Sequence, residues 1–288
     1  MPYRSVLASN LFAGQLIIVT GGGSGIGRCT AHELSALGAH VVLVGRKAEK
    51  LTTVANEIAE DGGRATTCPC DIRDEEAVAA MVTHTVTRYG HVHALVNNAG
   101  GQYPSPLEDI KQKGFDAVVR TNLVGGFLLA REVYRQSMKD TGGAIVNIIA
   151  DVWGGMPGMA HSGAARAGME NLTQSAAIEW ATAGVRVNAV APGWIASSGL
   201  DNYEGAMRSL IPHLKDSVPL KRFGTEAEVS AAVCFLLSPA AAFISGATLR
   251  VDGAASQNVR AFPLAPARNV AVFEGFHRAQ LPRVLAEG

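Results

Sequence analysis

Near the N-terminus an apolar run, Leu16-Ile17-Ile18-Val19-Thr20, passes directly into Gly21-Gly22-Gly23-Ser24-Gly25-Ile26-Gly27-Arg28, where a helical pattern begins. Few folds accept this arrangement. A strand-forming run without polar alternation describes a strand covered on both faces, as in the middle of a parallel sheet. The glycines let the backbone turn tightly. They also leave the N–H groups at the helix start open to an anion, which the helix dipole favours. Strand, glycine turn and helix in this order make the opening unit of a dinucleotide-binding α/β domain.

The rest of the chain repeats the alternation of short apolar runs with longer helical patterns. Strands are expected at 16–20, 40–45, 64–69, 93–97, 144–149, 185–190 and 247–251, and helices at 25–37, 47–60, 74–88, 110–138, 162–182 and 226–236. The fold class is therefore α/β, a Rossmann-type doubly wound parallel sheet in a single domain covering residues 1–253. Segment 194–224 fits neither pattern and reads as lid helices. Residues 254–288 form a C-terminal extension containing proline and arginine.

Composition narrows the partners. The formal net charge is zero and only 17% of residues are charged, without the concentrated basic excess of a nucleic-acid binder. No apolar run approaches the roughly 18 residues that span a bilayer; the longest, Ala231 to Leu237, stops at Ser238-Pro239. The N-terminus shows no secretory signal pattern, and a cytoplasmic protein is expected. Cys29, Cys68, Cys70 and Cys234 have neither metal-finger nor redox spacing and read as reduced thiols. His91 and His93 precede a strand without partners at metal-ligand spacing, so they read as surface residues and no metal is expected.

The second strand ends at Val44-Gly45-Arg46-Lys47. An acid at this place binds the ribose 2′-hydroxyl of NAD; none is present. Arg46 offers a planar fork of donors suited to a 2′-phosphate, so NADP(H) is expected over NAD(H).

These features, together with Cys70-Asp71-Ile72, Asn97-Asn98-Ala99-Gly100, Asn122, Asn147 and Pro192-Gly193, resemble the short-chain dehydrogenase/reductase family over nearly the whole chain to about residue 253. By that resemblance, Gly21, Ser24, Gly25, Ile26 and Gly27 hold the cofactor's pyrophosphate and Asp71 touches the adenine. Asn98, Ala99 and Gly100 line the cofactor and brace the central strand, and Pro192 and Gly193 sit by the nicotinamide. The family's usual set of Asn, Ser, Tyr and Lys is mostly absent. With Ala167-Gly168 and Asn171-Leu172-Thr173 as register, the Lys position falls on Arg166, the Tyr position on Ser162 and the Ser position on Ala150; Asn122 is kept. A shifted register would put His161 nearest the missing Tyr, but it breaks the downstream match. Within the family, Asn97–Gln102, Thr121-Asn122-Leu123 and His161–Gly168 look most like peroxisomal-type trans-2-enoyl-CoA reductases and, more distantly, 2,4-dienoyl-CoA reductases. The chain ends Ala286-Glu287-Gly288, unlike the peroxisomal import tripeptide.

The substitutions restrict the chemistry. Reduction of a ketone makes an alkoxide, which needs an acid such as Tyr beside it. A Ser hydroxyl is a far poorer acid, and a guanidinium keeps its proton. Hydride addition to an unsaturated thioester makes an enolate, which needs donors and positive potential on its oxygen and can take its proton later. On this reading Arg166 holds the nicotinamide ribose and contributes a fixed charge, Ser162 donates to cofactor or substrate, and Asn122 anchors a water. Asn122 could equally be a helix-kink residue, and Ser162 a helix N-cap. His161 and Asp151 are weaker candidates for proton donor, and Tyr103 and Trp153 for the acyl pocket.

The rival readings are an alcohol dehydrogenase for a hydrophobic, terpenoid-like substrate and a non-catalytic NADP(H)-binding protein. Phosphates of an acyl-CoA could meet Lys215, Lys221, Arg222, Arg260, Arg268 or Arg278. By resemblance, helices 110–138 and 162–182 form the face of a homodimer or homotetramer.

Overall fold

The computed structural model describes residues 2–258 and 264–286. Its seven strands are β1 (Leu16–Thr20), β2 (His40–Gly45), β3 (Arg64–Pro69), β4 (Ala94–Asn97), β5 (Gly143–Ile148), β6 (Val185–Pro192) and β7 (Thr248–Val251). They form one sheet in the order β3-β2-β1-β4-β5-β6-β7, and every pairing is parallel. From β1 the chain steps outward to β2 and β3, then returns to lay β4 on the other side of β1. That reversal opens a crevice at the carboxyl ends of β1 and β4, where α/β sheets bind ligands.

Helices cover both faces. On one side α1 (Gly25–Ala36), α2 (Ala48–Glu60) and α9 (Glu226–Leu237) pack Leu34, Val54, Ile58 and Val233 against Ile17, Val19, Val41 and Val146. On the other, α3 (Glu75–Tyr89), α5 (Gly125–Val133) and α7 (Ala160–Glu179) pack Val82, Leu129 and Ala177 against Leu16, Ile18, Val42 and Ile145. Alternate residues of β1 thus feed two separate cores, which is why its sequence is apolar throughout. Capping fixes two helix starts: Asp74 accepts from Ala77 N at 3.1 Å, and Thr225 with Glu228 forms a capping box.

The single helix expected at 110–138 is instead composite. α4 (Gln112–Val119) leads through a π-helical turn, Arg120–Val124, into α5, and a second π turn, Tyr134–Met138, precedes α6 (Lys139–Thr141). Each π turn widens the helix locally, a feature periodicity cannot show. α7 begins at Ala160, with Met159 at the N-cap position, so Ser162 is inside the first turn and fully buried rather than capping it. His93 is also no surface residue. It is half-buried, and its Nδ1 accepts the Leu16 N–H at 3.0 Å.

Segment 194–224 leaves the sheet through a narrow neck: Ile195 bridges Gly224, and Ala196 N donates to Gly224 O at 2.8 Å. Beyond it lie a 3₁₀ turn (Ser198–Asn202), α8 (Gly205–Leu210) and a second 3₁₀ segment (Ile211–Ser217). Residues 264–286 return across α1 and α2. Phe276 is buried against Tyr3 and His32, with the Arg28 guanidinium 5.0 Å from its ring centre, and Arg278 pairs with Glu60 and Asp61. The short α10 (Arg283–Ala286) ends on the lid, where Val284 N donates to Asp201 Oδ1 at 3.0 Å. Among the described residues, no helix is long and apolar enough to cross a membrane.

Two acids are buried where α1 meets α9. Glu33 accepts from Tyr3, Ser5 and Ser230, and burial pushes its carboxyl above the usual range. Burial raises Glu226 from 4.5 to about 7, against the opposing pull of Arg28. Between those values the unfolded chain is ionised at Glu226 while the folded one keeps the proton. Stability at this site is therefore full below about pH 4.5 and falls as pH rises through 7, by about 3 kcal/mol at roughly 1.4 kcal/mol per unit. Urea unfolding of Glu226→Gln should show that loss removed; a loss identical to wild type would refute the assignment. Phe276→Ala should cost ~3 kcal/mol, as for a buried aromatic. A cost below about 1 kcal/mol would mean that the extension is not part of the fold.

Candidate active site

The crevice is built on Asn98, at the end of β4. Its backbone N–H donates to Thr20 Oγ1 and its Nδ2 to Thr20 O, both at 2.9 Å, which ties β4 to β1. The glycine turn folds onto the same amide. A β-carbon at Gly27 would lie 2.4 Å from Asn98 Nδ2 and from Gly21 O, and one at Gly21 would lie 2.8 Å from Asn98 Nδ2. Gly21 has a φ of +65° and Gly25 of +57°, which only glycine adopts freely. Beneath, Asn97 Nδ2 donates to Asn147 Oδ1, and Asn147 Nδ2 to Thr173 Oγ1, each at 2.9 Å, locking β4, β5 and α7 together.

The start of α1 fits a dinucleotide's pyrophosphate. Ser24 is extended and makes no side-chain cap bond, and no acid stands in the helix's first turn. Above Gly25 a β-carbon would meet nothing nearer than Glu226 Oε1 at 3.8 Å and Ser197 at 4.0 Å. Ile26 packs inward on the core. Arg46 is exposed and has no ion-pair partner among the described residues. Asp71 is gripped by Arg73, Nε to Oδ1 at 2.9 Å and Nη2 to Oδ2 at 2.6 Å, which holds its carboxyl down at about 2. At the far side, β6 ends at Pro192, and Gly193 lies so close to Asp252 that a β-carbon would come within 2.8 Å of its Cβ.

At the end of the crevice expected to carry the reaction lies Arg166. Its Nη1 donates to Ile148 O, and its Nη2 lies over Gly100, where a β-carbon would come within 2.3 Å. Nε is buried without a partner, and no carboxylate pairs with the group among the described residues. Burial pushes it down to about 10, so it is still charged near neutrality. Ala99 N donates to Thr20 Oγ1, and the next residues are held by Asn122: Gly101 N donates to Asn122 Oδ1 at 2.8 Å, while Asn122 Nδ2 donates to Gly101 O at 2.9 Å. Asn122 lies in the π turn Arg120–Val124 and bonds the segment after β4.

Ser162 Oγ donates to Gln102 Oε1 at 2.6 Å, and Gln102 Nε2 donates to Tyr203 Oη at 2.9 Å. Neither Gln102 nor Tyr203 was assigned a role from sequence. Gln102 stands in a matched string, but Tyr203 sits in the lid, where no periodicity marks it. His161 is fully buried, edge-on to Tyr103 at 4.5 Å between ring centres, and neither of its nitrogens has a hydrogen-bond partner among the described residues. Asp151 is half-buried, with its carboxyl raised by burial and by the charge of Asp252. Trp153 stacks under Arg250, whose guanidinium lies 3.6 Å from the ring centre. Of the basic residues expected to meet phosphates, Arg222 is engaged by Glu228 and Arg278 by Asp61 and Glu60. Arg260 lies outside the described residues.

Residues 21–256 match the family described as Enoyl-(Acyl carrier protein) reductase. Peroxisomal 2,4-dienoyl-CoA reductase of Danio rerio is 35% identical over 88% of this chain and 85% of its own length. Glucose 1-dehydrogenase of Gluconobacter oxydans is 36% identical over 84% and 92%. Among solved structures, the citronellol catabolism dehydrogenase (AtuB) of Pseudomonas aeruginosa PAO1 is 65% identical, with a TM-score of 0.81 over 88% of this chain and 100% of that one. With the reversed parallel sheet, the glycine turn on Asn98 and these likenesses together, the chain belongs to the short-chain dehydrogenase/reductase family of nicotinamide-dependent oxidoreductases.

Proposed function

We propose that the protein is an NADP(H)-dependent reductase of the carbon–carbon double bond in an enoyl thioester, most suitably an acyl-CoA with a hydrophobic chain. The observation that carries this reading is the Arg166 guanidinium, buried and charged with no counter-ion among the described residues, beside a Ser where the resemblance expects a phenol. An uncompensated buried cation is costly and is best repaid by an anion that forms only in the reaction. An enolate oxygen is such an anion. An alkoxide also needs a proton at once, and Ser162 has already given its hydrogen to Gln102.

Ser24, Gly25, Ile26 and Gly27 would hold the pyrophosphate on the N–H groups of α1, and Arg46 the 2′-phosphate. Asp71 would meet the adenine edge, and Asn98, Ala99, Gly100, Pro192 and Gly193 would shape the nicotinamide end. When bound, the cofactor supplies a hydride. Met156, Met159, Leu200 and Met207 make the neighbouring lid interior apolar, which suits a hydrocarbon chain. Similarity to the dienoyl-CoA reductase supports the thioester; similarity to the citronellol catabolism dehydrogenase supports a branched, terpenoid chain.

That same 65% identity favours one second reading, oxidation of a terpenoid alcohol with NADP. We also read the protein as cytoplasmic. We read it as a homodimer or homotetramer that pairs through α5 and α7, where Phe127 is partly exposed beside Leu123 and Leu172.

The test follows NADPH oxidation with straight and branched trans-2-enoyl-CoA thioesters, with alcohols plus NADP as the alternative panel. Thioester-dependent turnover is expected. Turnover of alcohols alone would establish the second reading, and tight NADPH binding without turnover on either panel would identify a non-catalytic binder. Arg166→Ala should lower kcat by at least about 10²-fold, the usual scale for losing such a donor; near wild-type turnover would remove Arg166 from the chemistry. Arg46→Ala should weaken NADPH by about ten- to a hundredfold, as expected for a charge-assisted contact of roughly 1.5–3 kcal/mol, while leaving NADH unchanged. An equal effect on both cofactors would refute the 2′-phosphate assignment.

A further inference from the structure

The helix that should carry a phenol has none, yet one is present a single amide away. Tyr203 follows the 3₁₀ turn Ser198–Asn202 of the lid and is nearly buried, in a cluster with Met159, Leu200, Ile211 and Val284. Its oxygen accepts the Gln102 Nε2–H at 2.9 Å, and the other end of that amide accepts from Ser162, which occupies the position of the missing phenol. Among the described residues, the hydrogen of Tyr203 itself has only a weak acceptor, Met159 Sδ at 3.9 Å. A phenol whose oxygen already receives an N–H, and whose proton is poorly engaged, is arranged to give that proton away. The C-terminal extension fixes the arrangement, because Val284 N holds Asp201, two residues before Tyr203.

We propose that Tyr203 is the acid of this site, delivered by the lid rather than by α7. The inference rests on the enoyl reading above. After the β-carbon has received hydride, the enolate's electron pair forms a new α-carbon–hydrogen bond with the Tyr203 proton as the phenolic O–H bond breaks. The phenolate is stabilised by the Gln102 N–H and recovers its proton from solvent. Gln102 is a positioning residue, since it acts on the substrate only through its two neighbours.

Tyr203→Phe keeps the ring and its packing and removes only the hydroxyl. In the full chain, NADPH affinity and the KM for an enoyl-CoA should stay within about twofold. By contrast, kcat should fall about 10²-fold or more, the usual scale of general acid catalysis, and the alkaline limb of the kcat–pH profile should disappear. Gln102→Leu keeps the acid and should move that limb to higher pH. An activity-independent readout is ultraviolet difference titration without cofactor, where the one phenolate transition missing in Tyr203→Phe should shift upward in Gln102→Leu. Wild-type kcat with the limb intact in Tyr203→Phe would overturn the proposal. So would parallel losses in kcat and KM with an unchanged pH profile, which would make Tyr203 a lid latch. If wild type acts on alcohols but on no thioester, the enoyl reading fails separately. A phenol that gives a proton in reduction takes one in oxidation, so Tyr203→Phe must then cost as much in the alcohol assay, or the proposal fails too. No wild-type turnover on either panel would overturn both.

Discussion

One side-chain amide organises this molecule. Asn98 bonds Thr20 twice, across the gap where the sheet reverses, and both Gly21 and Gly27 rest on its Nδ2. β1 and β4 are paired neighbours, but the connections that leave them run to opposite faces of the sheet, and that divergence makes the crevice. Without a polar bridge the ends of β1 and β4 would leave backbone groups unsatisfied in a partly buried place. The amide therefore sets the width of the crevice and the approach of α1 together. The glycines are dictated by this contact more than by turn geometry alone, since any β-carbon at position 27 would displace the amide.

Around that frame, the site departs from family practice in a consistent direction. By the resemblance, Arg166 stands where the family has a lysine and Ser162, four residues before it, where the family has a phenol; burial lowers the guanidinium to about 10 and leaves it charged near neutrality. On that reading, both changes weaken proton transfer along α7 while keeping one fixed positive charge there. Gly100 makes room for the larger guanidinium. Asn122, carried on the π turn Arg120–Val124, holds Gly101 through two hydrogen bonds.

Segment 194–224 and the C-terminal extension are packed together through Val284 and Asp201. The extension is anchored on α1 and α2 by Phe276 and Arg278 and reaches the lid at Asp201. Helices α1 and α2 and segment 194–224 are thereby connected by a chain whose sequence has no regular pattern. Residues that looked available for a substrate's phosphates, Arg222 and Arg278, are held by acids of the protein itself. The charge count of the sequence could not distinguish those two uses.

The sequence by itself determined the order of strands and helices and the glycine turn, and it raised the expectations of a basic residue at the cofactor's ribose and of a site without the usual phenol and lysine. These are matters of periodicity and spacing, and such information is local. Only the tertiary structure decided that Ser162 is buried inside a helix turn, that helix 110–138 is broken by two π turns, and that His93 serves the sheet. It alone brought Gln102, Ser162 and Tyr203 together from three segments far apart in the chain. The physical reason is that a hydrogen bond between side chains depends on where the backbone has carried them. A lid built from short 3₁₀ turns has no period from which that position can be read.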